Sequence, residues 1–302
     1  SIRFSGSNGR ISANVSTTEE HLMETLALMT DMLKNPKFDE EELEKLKTQD
    51  LASLERNKSE PQFLASKNLS LLNQRYEKGH PLYSNTIEED VEEIKAANIA
   101  DIKAYYNEFY GISDNATLVA IGNIDEAGLK NYFETEFTDF RVKKPYEPIL
   151  DPHKLNTPVN KQIKTPDKKN AMTLGLMSFE GSQEDEDYAA LQVASSIFGG
   201  GFLNSRIAGR LRQKDGVSYG AGGQVSVDGN PDEKNSVIYV YAIYAPQNAD
   251  KVQKGFREEI ERYINDGITE DELKGAITSW VQGESVSRAK DNELSSTITH
   301  NL

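Results

Sequence analysis

Hydrophobic positions recur with two different spacings along the chain, and each spacing predicts a different element. Apolar and polar residues alternate over Arg10–Ser16, which predicts a strand. The following Thr17-Thr18-Glu-Glu is typical of a helix start, and the apolar residues from Leu22 to Leu33 then recur every three or four positions. This stretch is therefore predicted to form a strand followed by an amphipathic helix.

The same signals predict the other elements. Helices are predicted at residues 39–56, 61–76, 99–109, 126–137 and 184–198, and strands at residues 117–121, 171–177, 223–227 and 236–244. Three helical segments finish the chain. The predicted fold class is α+β, with antiparallel-rich sheets that carry helices packed on one face.

Prolines divide the chain into two parts. Five of the ten prolines fall between Lys143 and Pro166, where neither the helical nor the strand spacing is present. Residues 143–166 are therefore predicted to be a linker between one domain of residues 1–142 and another of residues 167–302.

A weak internal repeat relates the two predicted domains. Phe38–Leu43 aligns with Ile268–Leu273 at an offset of 230 residues (268 − 38), and the strand and helix before each of them align as well. The domains are predicted to be similar copies of one fold. On this view the first domain lacks its opening elements and the last one is cut short at its C-terminus.

Composition excludes several classes of function. Lys+Arg 34 against Asp+Glu 49 gives a net charge of −15, which opposes nucleic-acid binding. The chain has no cysteine, so disulfides, thiol nucleophiles and cysteine zinc sites are excluded. No apolar run is long enough to predict a membrane span.

The four histidines do not form a zinc motif. His21-Leu-Met-Glu24 places a histidine and a glutamate on one helix face, but Thr25 stands where a second histidine would be needed. The simpler interpretation of His21 is a polar residue near a helix start. No metal-ligating residue is predicted in this chain.

A glycine-rich stretch from Gly199 to Tyr219 is the strongest candidate for chemistry. A phosphate loop is excluded because Phe202 follows the glycines, and a dinucleotide fingerprint is excluded because a helix precedes them. The stretch predicts a glycine break and a short helix that begins at Asn204 or Ser205 and ends at Lys214. An Asp215-Gly216 turn then leads into a strand.

Two side chains of this stretch, Arg212 and Tyr219, could converge on one point. A guanidinium and a phenol are suitable donors for the developing oxyanion of an attacked peptide carbonyl. In the alternative interpretation, Arg212 caps the helix and Tyr219 packs in the core.

The stretch "GGGFLNSRIAGRLRQKDGVSYG" resembles the pitrilysin/insulinase-type zinc metallopeptidases, whose zinc motif is the inverted His-x-x-Glu-His. The resemblance extends over nearly the whole chain, through "NPKFDEEELEKLK", "GHPLYSNTIEEDVEEIKAANIADIKAYYNEFYG", "NATLVAIGNID" and "YAIYAPQNADKVQKGFREEI". Such proteins have similar α+β domains in two halves around a chamber. The N-terminal half usually carries the zinc.

The resemblance implies catalytic roles for Arg212 and Tyr219, because an arginine and a tyrosine seven residues apart contact the substrate in the family. The other predicted substrate-binding residues of the stretch are Gly199, Gly200, Gly201, Phe202, Ser205 and Arg206.

The chain departs from the catalytic half of the family. It has no His-x-x-Glu-His, and Ser53 or a neighbour stands where active halves have a third ligand, a glutamate. The resemblance therefore implies a C-terminal, non-zinc "inactive domain" half, which needs a zinc-bearing N-terminal half, in the same chain or a separate subunit, to cleave peptides.

Three functions remain open after this comparison. The chain could be the substrate-binding half of a zinc endopeptidase that encloses and cleaves partly unfolded peptides, a non-catalytic structural or partner subunit, or a phosphate-ligand protein. We expect a periplasmic or exported bacterial protein. The chain has no cysteine, and the family members that it most resembles are of this kind.

Overall fold

Five strands and eleven helices form within the part of the chain described by the computed structural model, which is residues 1–7, 9–144, 147–201 and 204–300. The strands are β1 (Ile2–Ser7), β2 (Arg10–Val15), β3 (Ala171–Glu180), β4 (Ser218–Ser226) and β5 (Asn235–Tyr244). The helices are α1 (Leu22–Lys34), α2 (Glu40–Asn57), α3 (Pro61–Leu72), α4 (Ile87–Ala96), α5 (Ile99–Phe109), α6 (Glu126–Glu136), α7 (Tyr188–Ser195), α8 (Arg206–Ala208), α9 (Ala249–Asp266), α10 (Glu270–Arg288) and α11 (Asp291–His300). The predicted α+β class is confirmed.

Two elements differ from the sequence prediction. Residues 117–121 form no strand, because neither of the described sheets, β1-β2 and β3-β5-β4, includes this segment, and apolar residues alone supply no ladder partner. Helix α4 was not predicted, although Thr86 and Glu89 form a reciprocal capping box at its start, at 3.2 and 2.9 Å.

The chain folds into two compact units. The first unit takes in Ser1–Asp50, Glu93–Ile149 and the chain from Gly283 onward, and the second takes in Leu51–Glu92 and Leu150–Gln282. These limits follow the packing of the chain and differ from the predicted domains at 1–142 and 167–302, which were inferred from the proline-rich linker between them. The domain division stays a prediction.

The first unit is built around the hairpin of β1 and β2 and the helices α1 and α6. Leu26 and Met29 of α1 are buried against Leu129 of α6 and Phe137, as the helical spacing predicted. Partly buried Phe4 and Val15 of the hairpin complete this core.

The second unit is built around an antiparallel sheet with the strand order β3-β5-β4. One sheet face buries Ala221, Ala242 and Tyr244 against the helices α8 and α9, whose residues in this core include Ile207 and Val252. Helix α3 packs against β3. This core supports the chain segment that carries the candidate site.

The described part of the predicted linker forms no regular helix or strand, and its residues from 150 onward belong to the second unit. The Asp151 carboxylate accepts hydrogen bonds from Arg75 at 2.6 Å, from the Tyr76 hydroxyl at 2.5 Å and from the Asn235 amide at 3.0 Å. Further along, Lys161 Nζ donates to Asn68 Oδ1 of α3 at 2.7 Å. The segment is therefore docked along the α3 region.

The predicted repeat has a counterpart in the order of the elements. Helix α2 begins at Glu40 and α10 begins at Glu270, an offset of 230 residues (270 − 40), and each follows a strand and a helix, β2 and α1 or β5 and α9. The same local folding signals therefore recur in both copies.

Candidate functional site

A β-bulge turns Tyr219 out of the core of the second unit. Ser218 lies opposite Tyr244 and Gly220 lies opposite Ile243, so Tyr219 is the extra residue of β4. Regular alternation would place Tyr219 on the same face as Ala221, which is buried. Instead, the Tyr219 side chain is 65% exposed.

Ser218 supports this bulge from inside. Its hydroxyl Oγ lies 2.9 Å from the carbonyl oxygens of both Gly220 and Ile243, and the residue is buried. The hydroxyl thus satisfies carbonyl groups where the bulge disrupts the ladder. The bulge is a supported feature of the strand.

The helix predicted to end at Lys214 is present, in a modified form. Ser205 is its N-cap and accepts a hydrogen bond from the backbone N–H of Ala208 at 3.4 Å. After α8 the chain continues as a π-helical turn, Gly209–Lys214. Such turns are frequent at functional sites, and this one carries Arg212.

The cations of this segment fall into two groups. Arg206 and Arg210 are both ion-paired within the second unit. Arg212 and Lys214 are exposed, and neither side chain has a hydrogen bond or ion pair with any residue that the structure describes. Arg212 is therefore available to a ligand, whereas Arg206 is already engaged.

Arg206 joins the site segment to α10. Its Nε and Nη2 atoms bind the two carboxylate oxygens of Glu272 at 2.6 and 2.7 Å, and Nη2 also binds the Gly267 carbonyl at 2.7 Å. Its guanidinium lies 5.0 Å from the ring centre of Tyr263. These contacts give Arg206 a structural role, and its role in substrate binding stays a prediction.

The Arg206 pair makes the stability of the second unit dependent on pH. Hydrogen bonds from Arg206 are the main cause that lowers the pKa of Glu272 from 4.5 to about 2. This contribution is complete above pH 4.5 and is lost as the pH falls through 2. We expect Glu272→Gln to cost about 1.5–3 kcal/mol near neutral pH and to flatten the stability profile between these values, measured by urea unfolding.

Glu55→Gln is the matched control for this prediction. It removes an exposed helical pair with Lys58 and is expected to change stability by less than about 0.5 kcal/mol. Equal losses in the two variants would contradict a special role for the Arg206 pair.

The glycine run packs closely against β4. The break predicted at Gly199–Gly201 begins later than expected, because residues Ser196–Gly200 continue α7 as a second π-helical turn that has Gly201 as its C-cap. A Cβ atom added at Gly199 would lie 2.2 Å from the backbone nitrogen of Gly223, and one at Gly201 would lie 2.7 Å from the Ser196 carbonyl oxygen. The glycines thus permit backbone-to-backbone packing. Whether Gly199, Gly200 and Gly201 also bind substrate is a prediction.

Two other predicted residues complete the account of this stretch. Ser205 is buried at the N-cap of α8, so its observed role is structural. Phe202 lies outside the described residues.

Metal-binding side chains are not grouped in the described part of the chain. His21 Nδ1 lies 3.4 Å from the Glu24 carboxylate on an exposed surface, and these two side chains form a pair without a third ligand among the described residues. Within residues 1–7, 9–144, 147–201 and 204–300, no three His, Cys, Asp or Glu side chains are placed to hold a metal ion. The described residues therefore do not fit a zinc ion.

The sequence did not single out Arg210, Ser218 or the bulge. Arg210 resembles the other basic residues of its helix, and the carboxylate of Glu258, one of its partners, lies far away in sequence. The Gly222-Gly223 pair inside a strand was an available signal of close backbone approach, which the Gly199 contact explains.

The chain matches the model of a known protein family. The model of the peptidase M16 inactive domain matches residues 96–279, more than half of the chain. The chain belongs to the peptidase M16 inactive-domain family. The predicted resemblance to the non-zinc half of these metallopeptidases is thereby confirmed.

Solved structures share the fold of this M16 chain. The peptidase M16 inactive domain from Pseudomonas fluorescens has a TM-score of 0.67 and 19% identity over 93% of this chain and 66% of its own. The periplasmic protease PqqL from Escherichia coli has a TM-score of 0.76 and 14% identity over 100% of this chain and 32% of its own. A protease from Helicobacter pylori has a TM-score of 0.72 and 17% identity over 97% of this chain and 70% of its own.

The M16 chain thus spans about two thirds of the Pseudomonas structure and one third of PqqL. A search of the curated proteins found no match. Among the described residues, no helix has the length and apolar character needed to cross a membrane.

Proposed function

We propose that this chain is the substrate-binding C-terminal half of a zinc-dependent metalloendopeptidase that encloses and cleaves partly unfolded peptides. The observation that carries the proposal is the exposure of Arg212 and Tyr219, whose side chains make no hydrogen bond or ion pair with any described residue. The side chains of the neighbouring Arg206 and Arg210, in contrast, form ion pairs within the second unit.

The two side chains suit the chemistry of peptide cleavage. Arg212 offers a planar set of N–H donors and Tyr219 offers one O–H donor, and both stabilise negative charge that develops on a peptide carbonyl oxygen. The ion pairs and the bulge hold the backbone of both residues in place before substrate arrives, which lowers the cost of ordering them. Their convergence on one oxygen is part of the proposal.

Zinc belongs to the other half in this proposal. The described residues do not fit the ion, so we assign it to an N-terminal zinc-bearing half, in the same chain or in a separate subunit. The partners are therefore that half and the peptide substrate.

We also propose that the protein is periplasmic or otherwise exported from a bacterium. A chain without cysteine tolerates an oxidising compartment, and the periplasmic PqqL shares this fold.

The proposal is tested with this chain alone and together with its zinc-bearing half. The chain alone is expected to bind a fluorescein-labelled unstructured peptide, measured by anisotropy, without binding stoichiometric zinc. The combined halves are expected to cleave the peptide in a chelator-sensitive way. Arg212→Lys is expected to weaken peptide binding about tenfold, because a point charge cannot reproduce the planar fork.

Two results would overturn the proposal. One tight zinc ion per chain in the isolated protein would return His21 and Glu24 to consideration. Cleavage or binding that is unchanged by substitutions at both Arg212 and Tyr219 would instead favour the structural or partner subunit.

A further inference from the structure

Arg210 lies between the π-helical turn that carries Arg212 and the long helix α9. Its Nε atom binds Asp215 Oδ2 at 2.7 Å, and its Nη2 atom binds Glu258 Oε2 at 2.6 Å. Asp215 follows the turn directly and Glu258 belongs to α9. One guanidinium therefore connects both ends of the turn to a separate helix.

The backbone of the turn depends on the same residue. The Arg210 carbonyl accepts a hydrogen bond from the Asp215 N–H at 3.0 Å, which is the wide spacing of a π-helical turn. The Arg210 side chain then reaches the Asp215 carboxylate from the other direction. The turn is therefore stabilised by both a backbone hydrogen bond and a side-chain ion pair between Arg210 and Asp215.

Packing fixes one side of this turn and leaves the other side open. Leu211 is fully buried, and it lies so close to Gly255 of α9 that a Cβ atom added there would be 2.5 Å from Leu211 Cδ2. Arg212, the next residue, is exposed. A shift of the turn on α9 would therefore move Arg212 directly.

The ion pair of Arg210 and Glu258 favours the charged form of each partner. Hydrogen bonds to Asp215 and then Glu258 raise the pKa of Arg210, and the hydrogen bond from Arg210 lowers the pKa of Glu258. Both shifts favour the charged forms of Arg210 and Glu258, so the pair is ionised at neutral pH.

We propose that Arg210 is a positioning residue, which holds the π-helical turn on α9 so that Arg212 is presented to the peptide in a fixed place. This inference rests on the proposed function for the role of Arg212. The turn itself can be examined independently of any substrate.

A spin label tests the positioning directly. The chain has no cysteine, so Lys214→Cys creates a unique labelling site at the exposed end of the turn. The nitroxide spectrum is expected to show a less mobile label with Arg210 present and a clearly more mobile one with Arg210→Gln. Glu258→Gln removes the ion pair of Arg210 with α9 and keeps its ion pair with Asp215. We expect this variant to show a label mobility between those of the other two proteins and to be less prone to unfold than Arg210→Gln.

Peptide binding tests the connection to Arg212. Arg210→Gln is expected to weaken binding of the labelled unstructured peptide about threefold to tenfold, which is the cost of ordering one long side chain on binding. In an Arg212→Gln background the same change is expected to have almost no effect, because its influence passes through Arg212. Arg257→Gln, an exposed change of equal charge on α9, is the control and is expected to bind as the parent does.

The outcomes separate this inference from the proposed function. Unchanged label mobility in both Arg210→Gln and Glu258→Gln overturns the positioning role, and so does a loss of binding that adds fully to that of Arg212→Gln. If Arg212→Gln alone leaves peptide binding intact, the proposed function fails, whereas the label still reports whether Arg210 orders the turn.

Discussion

Tyr219→Phe is expected to lower kcat of the assembled peptidase by about 10²–10³, the usual effect of removing one oxyanion donor. The variant keeps the aromatic ring and loses only the hydroxyl. Because the side chain is 65% exposed and makes no described hydrogen bond, folding does not depend on that hydroxyl. The measurement is steady-state cleavage of an unstructured peptide, with the zinc content and melting temperature determined alongside.

Tyr239→Phe provides the matched control within the same sheet. The Tyr239 hydroxyl donates a hydrogen bond to Gln224 at 2.9 Å, so the same atom is lost at a position outside the proposed site. We expect cleavage by this variant to remain near that of the parent. Near-normal turnover of Tyr219→Phe would show that its hydroxyl is not an oxyanion donor.

Gly199→Ala is expected to destabilise the second unit by about 3 kcal/mol or more, at the upper end of the cost of overpacking. The added Cβ atom would lie 2.2 Å from the Gly223 nitrogen and 2.6 Å from its Cα, so backbone has to move against backbone. Urea unfolding with far-ultraviolet circular dichroism measures the loss. Because β4 also carries Tyr219, we expect peptide binding to weaken in the same variant.

Gly275→Ala separates this steric effect from the general effect of replacing a glycine. Gly275 lies in α10 with nothing within 4 Å of the added Cβ, so alanine is expected to stabilise the helix by about 0.5–1 kcal/mol. A similar small gain at Gly199 would mean that the close approach to Gly223 does not exist in solution.

Local signals in the sequence were sufficient for most elements. Helix α5 spans Ile99–Phe109 as predicted, and Ser205 caps α8 as one of two predicted candidates. Both depend on residues within a few positions of each other. The strand predicted at residues 117–121 was wrong, because a strand also requires a neighbouring strand to pair with, and no local sequence pattern supplies one.

The candidate site could be predicted only in part, because it also depends on contacts between residues that are distant in the sequence. The sequence indicated Arg212 and Tyr219 but could not show that the Arg206 side chain is engaged, because the carboxylate of Glu272 that binds it comes 66 positions later. The alternation of Val217, Tyr219 and Ala221 even suggests a buried tyrosine. Only the strand register reveals the bulge that exposes it.

The pairing of α3 with β3 has a consequence for synthesis on the ribosome. About one hundred residues separate Leu72 at the end of α3 from Ala171 at the start of β3 (171 − 72). At a translation rate of about 5–20 residues per second, the apolar side of α3 stays uncovered for about 5–20 s before β3 has been synthesised. During that interval the nascent chain exposes a surface that chaperones bind, and the second unit can close only after residues far downstream have left the tunnel.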